Sequence, residues 1–335
     1  MNEMLREATV SGLFASSFGY FREKTAARYH GLGRLENWLS MFWCVLRHGS
    51  SPMEYAALGF DRKSERERAG YVTMMRFERF VKKANTGDKM IFMNKIRFNE
   101  RFSAYLNRDW LDLSRATEEE FSDFVRRHGE VMLKATELSC GKGISRYTYR
   151  EGDDLSALYR SSRDMLAEEV IHQHRDIAAF NPDSVNVPRL NTMLDAEGNV
   201  HVFSAFFRTG AGTAIVDNMG AGGMAAHIDV DTGIVTTLAI DAKLREYLCH
   251  PRSGKVFPGF RVPHWEEAVD LVTRAAREVP DMRFIGWDVA VTDDGVCLVE
   301  GNDRADMCVR QYVDRRGWYD FLKQSLKKNK TGANR

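Results

Sequence analysis

The chain has 335 residues and a formal net charge of +1, which excludes recruitment of nucleic acid or anionic lipid by a global field. The length suggests two or three subdomains rather than one core. No apolar run reaches the roughly 18–20 residues that span a bilayer, the N-terminal residues lack the apolar core of a signal peptide, and five cysteines without a CxxC pair argue for reduced thiols, a cytoplasmic address and no structural zinc.

In chain order, residues 1–110 read as a mainly helical N-terminal region. "LENWLSMFWCVL" and "YVTMMRFERFVKKA" carry apolar residues at helical spacing. The region is rich in Arg and Lys. A solvated helix face is the commoner meaning of such charge; the functional alternative is a docking surface for a protein partner, a second copy of the chain or a membrane.

Residues 111–171 change period and read as a small α+β subdomain. "EEEFSDFVRRHG" is a predicted helix and "EVMLKA" a strand. "ELSCGKGI" is a glycine loop and "SRYTYR" a second strand. "DDLSALYRSS" is a helix with an Asp cap, and "DMLAEEVI" is a third strand. Residues 172–326 are strand-rich. They carry a hairpin in "RLNTMLDAEGNVHVFSAFFRTG", a second hairpin about Asp231-Thr232-Gly233, and the amphipathic helix "HWEEAVDLVTRAAREV". Residues 327–335 are a polar tail, expected to be disordered.

The last hairpin, "FIGWDVAVTDDGVCLVEGN", raises a chemical question, because each strand carries an acid where a buried strand is normally apolar. A three-residue loop Asp293-Asp294-Gly295 sets Thr292 against Val296 and Asp288 against Glu300. Asp288, Ala290, Leu298, Glu300 and Asn302 then share one face, with Trp287, Val289, Val291, Cys297 and Val299 on the other. A two-residue loop would put the acids on opposite faces. Opposed carboxylates repel, and burying them unpaired is costly. A cation between them answers both problems, and Asn302 adds a neutral oxygen. Hard oxygen donors of this kind suit Mg²⁺. The alternative is that one acid pairs with an arginine while the other is solvated at the strand end.

Mg²⁺ on such a set usually serves a nucleotide. No P-loop and no dinucleotide-binding glycine pattern occurs. Lys134, near a strand end, is a candidate for phosphate. The loop with Gly141, Lys142 and Gly143 is a candidate cover for the terminal phosphate, or simply a hairpin turn. Glu168 and Glu169, with Val170 and Ile171, could read an adenine edge or a ribose, or be strand-end charges. His172/His174 as a metal pair and Cys249-His250 as a thiol nucleophile lack the partners such sites need.

The order strand lysine, glycine loop, "EEVI" and acid–hairpin–acid–x–Asn resembles the ATP-grasp superfamily. "SVNVPRLNT", "FRTGAG", "VDNMGAGG", "HPRSGKVFPGFRVPHW" and "IGWDVAVTDDGVCLVEGN" are similar to its sugar-transfer associated group over roughly residues 90–315. The resemblance implies an ATP-grasp fold of two α+β subdomains clasping ATP behind the helical region. It implies that Lys95 and Lys134 contact ATP phosphates, and that Glu168, Glu169, Val170 and Ile171 form the adenine hinge. Asp288, Glu300 and Asn302 would hold one or two Mg²⁺. Arg189 and Arg208 would point at the γ-phosphate or an acyl phosphate, with structural ion pairs as their plainer role. Asp217 and Asn218 would be substrate or supporting groups. Residues 138–144 would act as a lid, with Lys142 active in turnover.

The expected activity is an ADP-forming ligase joining a small carboxylate and an amine through an acyl phosphate. Its setting would be polysaccharide, glycoconjugate or peptide-type natural product synthesis. The alternatives are a kinase on the same scaffold and a non-catalytic nucleotide-binding partner of a glycosyl-transfer system.

Overall fold

In the computed structural model, residues 17–26, 28–138, 143–210, 212, 222–305, 307, 310–312 and 316–327 are described. Helices begin and end where side chains satisfy their free backbone groups. α1 (Gly31–His48) closes on Gly49, whose left-handed φ of 66° brings its own N–H to the Val45 carbonyl at 3.0 Å and the Ser50 N–H to the Cys44 carbonyl at 3.4 Å. α2 (Pro52–Ala57) and α3 (Glu65–Ala69) each start from a reciprocal Ser/Glu capping box, Ser51 with Glu54 and Ser64 with Glu67. α4 (Met74–Ala84) follows.

The chain divides into two compact units, one of the described residues up to Ala84 with those after Ala305, the other running Asn85–Ala305. The first unit packs around Phe21, Met41, Cys44, Tyr55, Leu58, Phe60 and Tyr71. The late chain joins it through Gln311, whose amide accepts the Val72 N–H at 2.6 Å and donates to the Val72 carbonyl at 2.9 Å. A last helix covers Tyr319–Ser325.

Residues 85–110 belong to the second unit, with α5 (Met90–Met93) and α6 (Lys95–Arg101). Next come β1 (Trp110–Asp112), α7 (Glu118–His128), β2 (Glu130–Ala135), β3 (Ile144–Thr148), α8 (Leu155–Ser161) and β4 (Met165–Glu169). Thr117 and Glu120 form the capping box of α7, and Asp154 caps α8 by accepting the Ala157 N–H. The four strands make an antiparallel sheet in the order β1-β4-β2-β3. The two helices bury Phe121, Phe124, Val125, Leu155 and Tyr159 against Val131, Leu133 and Ala167, the alternate residues of strands with one apolar face.

The chain continues through α9 (Arg175–Ala178), β5 (Val187–Leu194), β6 (Val200–Thr209), β7 (Met224–Ile228), β8 (Ala239–Asp241), β9 (Glu246–Tyr247), α10 (Trp265–Arg277), β10 (Phe284–Thr292) and β11 (Gly295–Asn302). These strands form an antiparallel sheet ordered β11-β10-β5-β6-β7-β8-β9. The first predicted hairpin is β5 with β6; the second is β7 with β8, with an Ile228–Val235 bridge nearer its turn. α10 lays Trp265, Leu271, Val272 and Ala275 in the core shared with Trp287, Val289 and Leu298. Its hydrophobic stripe recurs every three to four residues. The two sheets and the short helices α5 and α6 position the site.

Candidate functional site

The β10–β11 hairpin differs from its sequence expectation in one way that matters. Thr292 pairs with Gly295, so the loop is the two residues Asp293 and Asp294. By simple alternation the two acids would then part. A register shift restores them: Val289 pairs with Leu298, but Asp288 pairs with Glu300, leaving Val299 as an extra bulged residue. Leu298 therefore joins Val289 on the core side, while Cys297 sits opposite Ala290. The expected faces of Leu298 and Cys297 are exchanged, and the opposition of Asp288 and Glu300 stands.

Asp288 is buried. Arg189, its pairing partner on β5, binds it bidentately: Nε donates to Oδ1, and Nη2 donates to Oδ2 at 2.6 Å. Arg208 on β6 donates from Nη1 to Oδ2 at 3.2 Å. Burial disfavours the charge, but the two guanidiniums outweigh it and hold the Asp288 carboxyl well below the usual carboxylate range. This is the arginine pairing weighed above as the alternative for one of the two acids.

Glu300 is placed differently. Half of its side chain is open to solvent. Asn302 Nδ2 donates to its Oε1 at 3.2 Å, and Arg189 Nη2 lies 3.9 Å from the same oxygen. Desolvation and the facing Asp288 carboxylate push the Glu300 carboxyl up. Solvent at the open side screens that push.

Gly286 makes this packing feasible. A Cβ there would sit 2.4 Å from the Ala305 Cβ, 2.7 Å from the Asn191 Oδ1 and 3.1 Å from the Arg189 Cδ. Only hydrogen leaves the Arg189 side chain its path to Asp288.

A second charge cluster lies on the four-stranded sheet. Glu168 on β4 is buried and accepts from Asn99 Nδ2 at 2.7 Å, from Arg108 Nη2 at 3.0 Å and from Lys134 Nζ. Burial opposes its charge, yet Arg108 and Lys134 prevail and hold the Glu168 carboxyl far below its ordinary value. Arg108, itself buried, also donates from Nη1 to the Leu298 carbonyl. One side chain thus ties β4 to β11 and one sheet to the other.

Lys95 opens α6 after Asn94 caps it. Its Nζ donates to the Ala135 carbonyl at 3.0 Å and to the Leu138 carbonyl, at the end of β2. Desolvation lowers its pKa, with Lys134 adding to the effect while Glu300 and Glu168 oppose it. Lys95 therefore lies within charge reach of Lys134, Glu168 and Glu300. Lys95, Arg108, Lys134, Arg189 and Arg208 are five cations arranged about three carboxylates, Glu168, Asp288 and Glu300.

At the end of β4, Glu169 is half-buried, and its Oε2 accepts the Asp109 N–H at 3.0 Å. Val170 and Ile171 follow in irregular, partly buried chain. Gly143 has φ +67°, its carbonyl accepts the Ala135 N–H at 2.8 Å, and a Cβ on it would lie 2.7 Å from that of Ala135. Gly141, Lys142, Asp217 and Asn218 lie outside the described residues. His174 caps α9, and the His250 Nε2 contacts the Gly210 carbonyl at 2.8 Å.

The sequence reading missed Asn99, Arg108 and Gly286. Asn99 and Arg108 have no motif around them, because their partners are distant in the chain. The "FIGWD" stretch held a detectable signal, a glycine inside a strand, which marks close approach of another group.

With Asp288 paired to arginines and Glu300 half open at the strand end, the structure shows both halves of the alternative arrangement; the donor types themselves, two carboxylates and an amide two residues on, are hard oxygen ligands that would suit Mg²⁺. They are few enough to leave positions for water and phosphate.

A model of the family described as sugar-transfer associated ATP-grasp matches residues 76–327. No curated protein matches the chain. Among solved structures, a biotin carboxylase–β,γ-ATP complex from Campylobacter jejuni aligns at TM-score 0.44 and 12% identity, covering 71% of this chain and 47% of that one. N5-carboxyaminoimidazole synthetase from Staphylococcus aureus, complexed with ADP, aligns at 0.43 and 8%, covering 71% and 53%. The ATP-grasp ligase PsnB, complexed with a minimal precursor, aligns at 0.40 and 14%, covering 71% and 61%. The chain spans about half the length of the solved structures it matches. Likenesses this distant bear on neither reaction nor substrate.

Proposed function

The chain belongs to the sugar-transfer associated ATP-grasp family, and on that premise we propose that it is an ATP- and Mg²⁺-dependent ligase that joins a carboxylate to an amine, releasing ADP and phosphate. The observation that carries this reading is the arrangement of five cations about three carboxylates on two linked sheets. With both acids of the hairpin ionised, that set has a surplus of positive charge. A polyphosphate brings the missing negative charge, and the hard-oxygen set Asp288, Glu300 and Asn302 would hold its metal.

The roles follow from the side chains. Lys95 and Lys134 neutralise phosphate oxygens. Glu168 is fully engaged with Asn99, Arg108 and Lys134, so it fixes the Lys134 ammonium rather than reading adenine. Adenine recognition then falls to the Glu169 side chain and the main chain of Val170 and Ile171. Mg²⁺, when bound, supplies charge neutralisation between the phosphates. Arg189 and Arg208 have a double use: they satisfy Asp288 when it needs counter-charge, and they donate to phosphoryl oxygens when Asp288 turns to the metal.

Transfer of the γ-phosphoryl group to a substrate carboxylate gives an acyl phosphate and ADP. Attack by an amine nitrogen forms the C–N bond and expels phosphate, with one proton lost from the nitrogen. Positioning and electrostatics carry both steps, so no nucleophilic side chain is needed. Gly141, Lys142 and Gly143 belong to the loop that would exclude water from the acyl phosphate. The family's association with sugar transfer supports a sugar-linked carboxylate or amine, and a place in polysaccharide, glycoconjugate or peptide-type natural product synthesis.

The test is hydroxylamine trapping. The protein is incubated with Mg-ATP, hydroxylamine and a panel of sugar-linked and amino-acid carboxylates. Hydroxamate formed in step with ADP, and lost in Arg208→Ala, supports the ligase. A phosphorylated hydroxyl product without hydroxamate would assign a kinase instead.

A further inference from the structure

α1 has two apolar sides, and among the described residues only one of them is packed into a core. Asn37, Met41, Cys44 and His48 are buried, and Met41 and Cys44 pack with Phe21, Tyr55 and Phe60 in the core of the first unit. On the other side Leu32, Leu35, Leu39, Phe42, Trp43 and Leu46 are all exposed, Leu39 at 60% and Leu46 at 84% of their surface. Scattered exposed leucines are ordinary. Six large apolar residues in line on one helix are not, because contiguous apolar patches of several hundred Å² mark interaction sites.

The spacing suits packing against another helix. Leu32, Leu39 and Leu46 recur every seven residues, with Leu35 and Phe42 between them at steps of three and four. That is the a/d pattern of a helix that packs along another helix. A bilayer asks for no such register, only a broad apolar arc opposite a strongly cationic face. The face of α1 opposite the stripe lies in the core, and the helix exposes only Arg34, Glu36 and Arg47 as charged residues, a near-neutral set.

We propose that this stripe is a self-association surface, where α1 packs antiparallel against α1 of a second copy of the chain. The stripe is self-complementary over most of its length: Leu39 lies at its centre, with Leu32 and Leu46 seven residues to either side. A two-fold axis through Leu39 sets that residue against its own counterpart. It sets Leu32 against the counterpart of Leu46, Leu35 against the counterpart of Trp43, and Phe42 against the aliphatic stem of the counterpart of Glu36. Burying six side chains that are now half to four-fifths exposed would remove several hundred Å² per copy, approaching the ~800 Å² per partner of a stable interface. The proposal is independent of the nucleotide chemistry.

Light scattering coupled to gel filtration on the full chain, over a hundredfold concentration range, tests it. The expected result is a mass of two chains for the wild type and of one chain for Leu39→Glu and for Leu46→Lys. Both positions are exposed, so the variants should keep the far-UV circular dichroism and melting temperature of a dilute wild-type sample. A single-chain mass at every concentration overturns the proposal. So does an unchanged dimer in both variants. A monomer that co-sediments with phosphatidylcholine/phosphatidylglycerol vesicles, and ceases to do so in Leu39→Glu, would overturn it in favour of a lipid surface.

Discussion

Arg189 holds both carboxylate oxygens of Asp288, with Nη2 2.6 Å from Oδ2, and its backbone pairs with that of Asp288 across β5 and β10. Cation and acid therefore reach each other from opposed positions on adjacent strands. The same guanidinium lies 3.9 Å from Glu300. Removing it leaves a buried acid with Arg208 alone. Breaking a buried pair costs about 3–5 kcal/mol, and Arg208 should keep Arg189→Ala near the lower end, ~3 kcal/mol. Urea unfolding measures the loss. Adding Asp288→Asn should cost less in the Arg189→Ala background than in the wild type; strictly additive losses would mean the pair is not coupled.

Glu300 should behave in the opposite sense. Its carboxyl is pushed up by desolvation and by Asp288, so its contribution to stability is greatest while it is protonated and declines as pH rises through the raised value. Glu300→Gln removes the penalty. Half exposure keeps the effect small, on the order of +1 °C in melting temperature at pH 7 without ligands. The same variant should lose most of the stabilisation given by Mg-ATP. A lower melting temperature in Glu300→Gln would show that the charge is supported by its neighbours rather than opposed.

The acid limb of stability should belong largely to Glu168 and Asp288. Both are held below their ordinary values by paired cations. Their contribution is therefore complete above the unfolded carboxylate range, near pH 4, and is lost as pH falls through the lower folded values. Glu168→Gln leaves Arg108 and Lys134 without their counter-charge, at a cost of about 3–5 kcal/mol at pH 7. The gap from wild type should narrow between pH 4 and pH 2.5, followed by chemical unfolding. A gap that stays constant would assign the loss to packing.

Gly286→Ala tests whether space for Arg189 is specified by a glycine. The new methyl would meet the Ala305 Cβ at 2.4 Å and the Asn191 Oδ1 at 2.7 Å. Overpacking of this kind costs roughly 1–3 kcal/mol. Weakened nucleotide binding should accompany it, because the Arg189 Cδ lies 3.1 Å from the same point. Unchanged stability and binding would contradict that role.

How much of this was legible in the sequence depends on the range of the interaction. β2, β3, β4, β5, β6, α7, α8 and α10 follow from periodicity and caps, which are local. The opposition of Asp288 and Glu300 was reached through the wrong loop, since Val299 gives no sign that it will bulge. Arg108 was invisible because its partners, Glu168 and the Leu298 carbonyl, lie 60 and 190 residues away. In α1 the apolar residues were plain, but which of them face the core was not. The pattern is apolar on both sides, and only the packing of Phe21 and Tyr55 against Met41 and Cys44 separates the sides.

The central claim is that the Asp288–Glu300–Asn302 hairpin holds Mg-ATP. The most direct measurement is the thermal stability of the full chain with ATP alone, Mg²⁺ alone and both, for wild type and Glu300→Ala. Ligand at about 100 times its dissociation constant adds roughly 2.7 kcal/mol. At roughly 2–4 °C per kcal/mol for a unit of this size, the wild type should rise by about 5–10 °C only when both are present, and Glu300→Ala should lose most of that rise. An equal rise in both proteins, or none in either, would contradict the claim and remove the basis of the ligase reading.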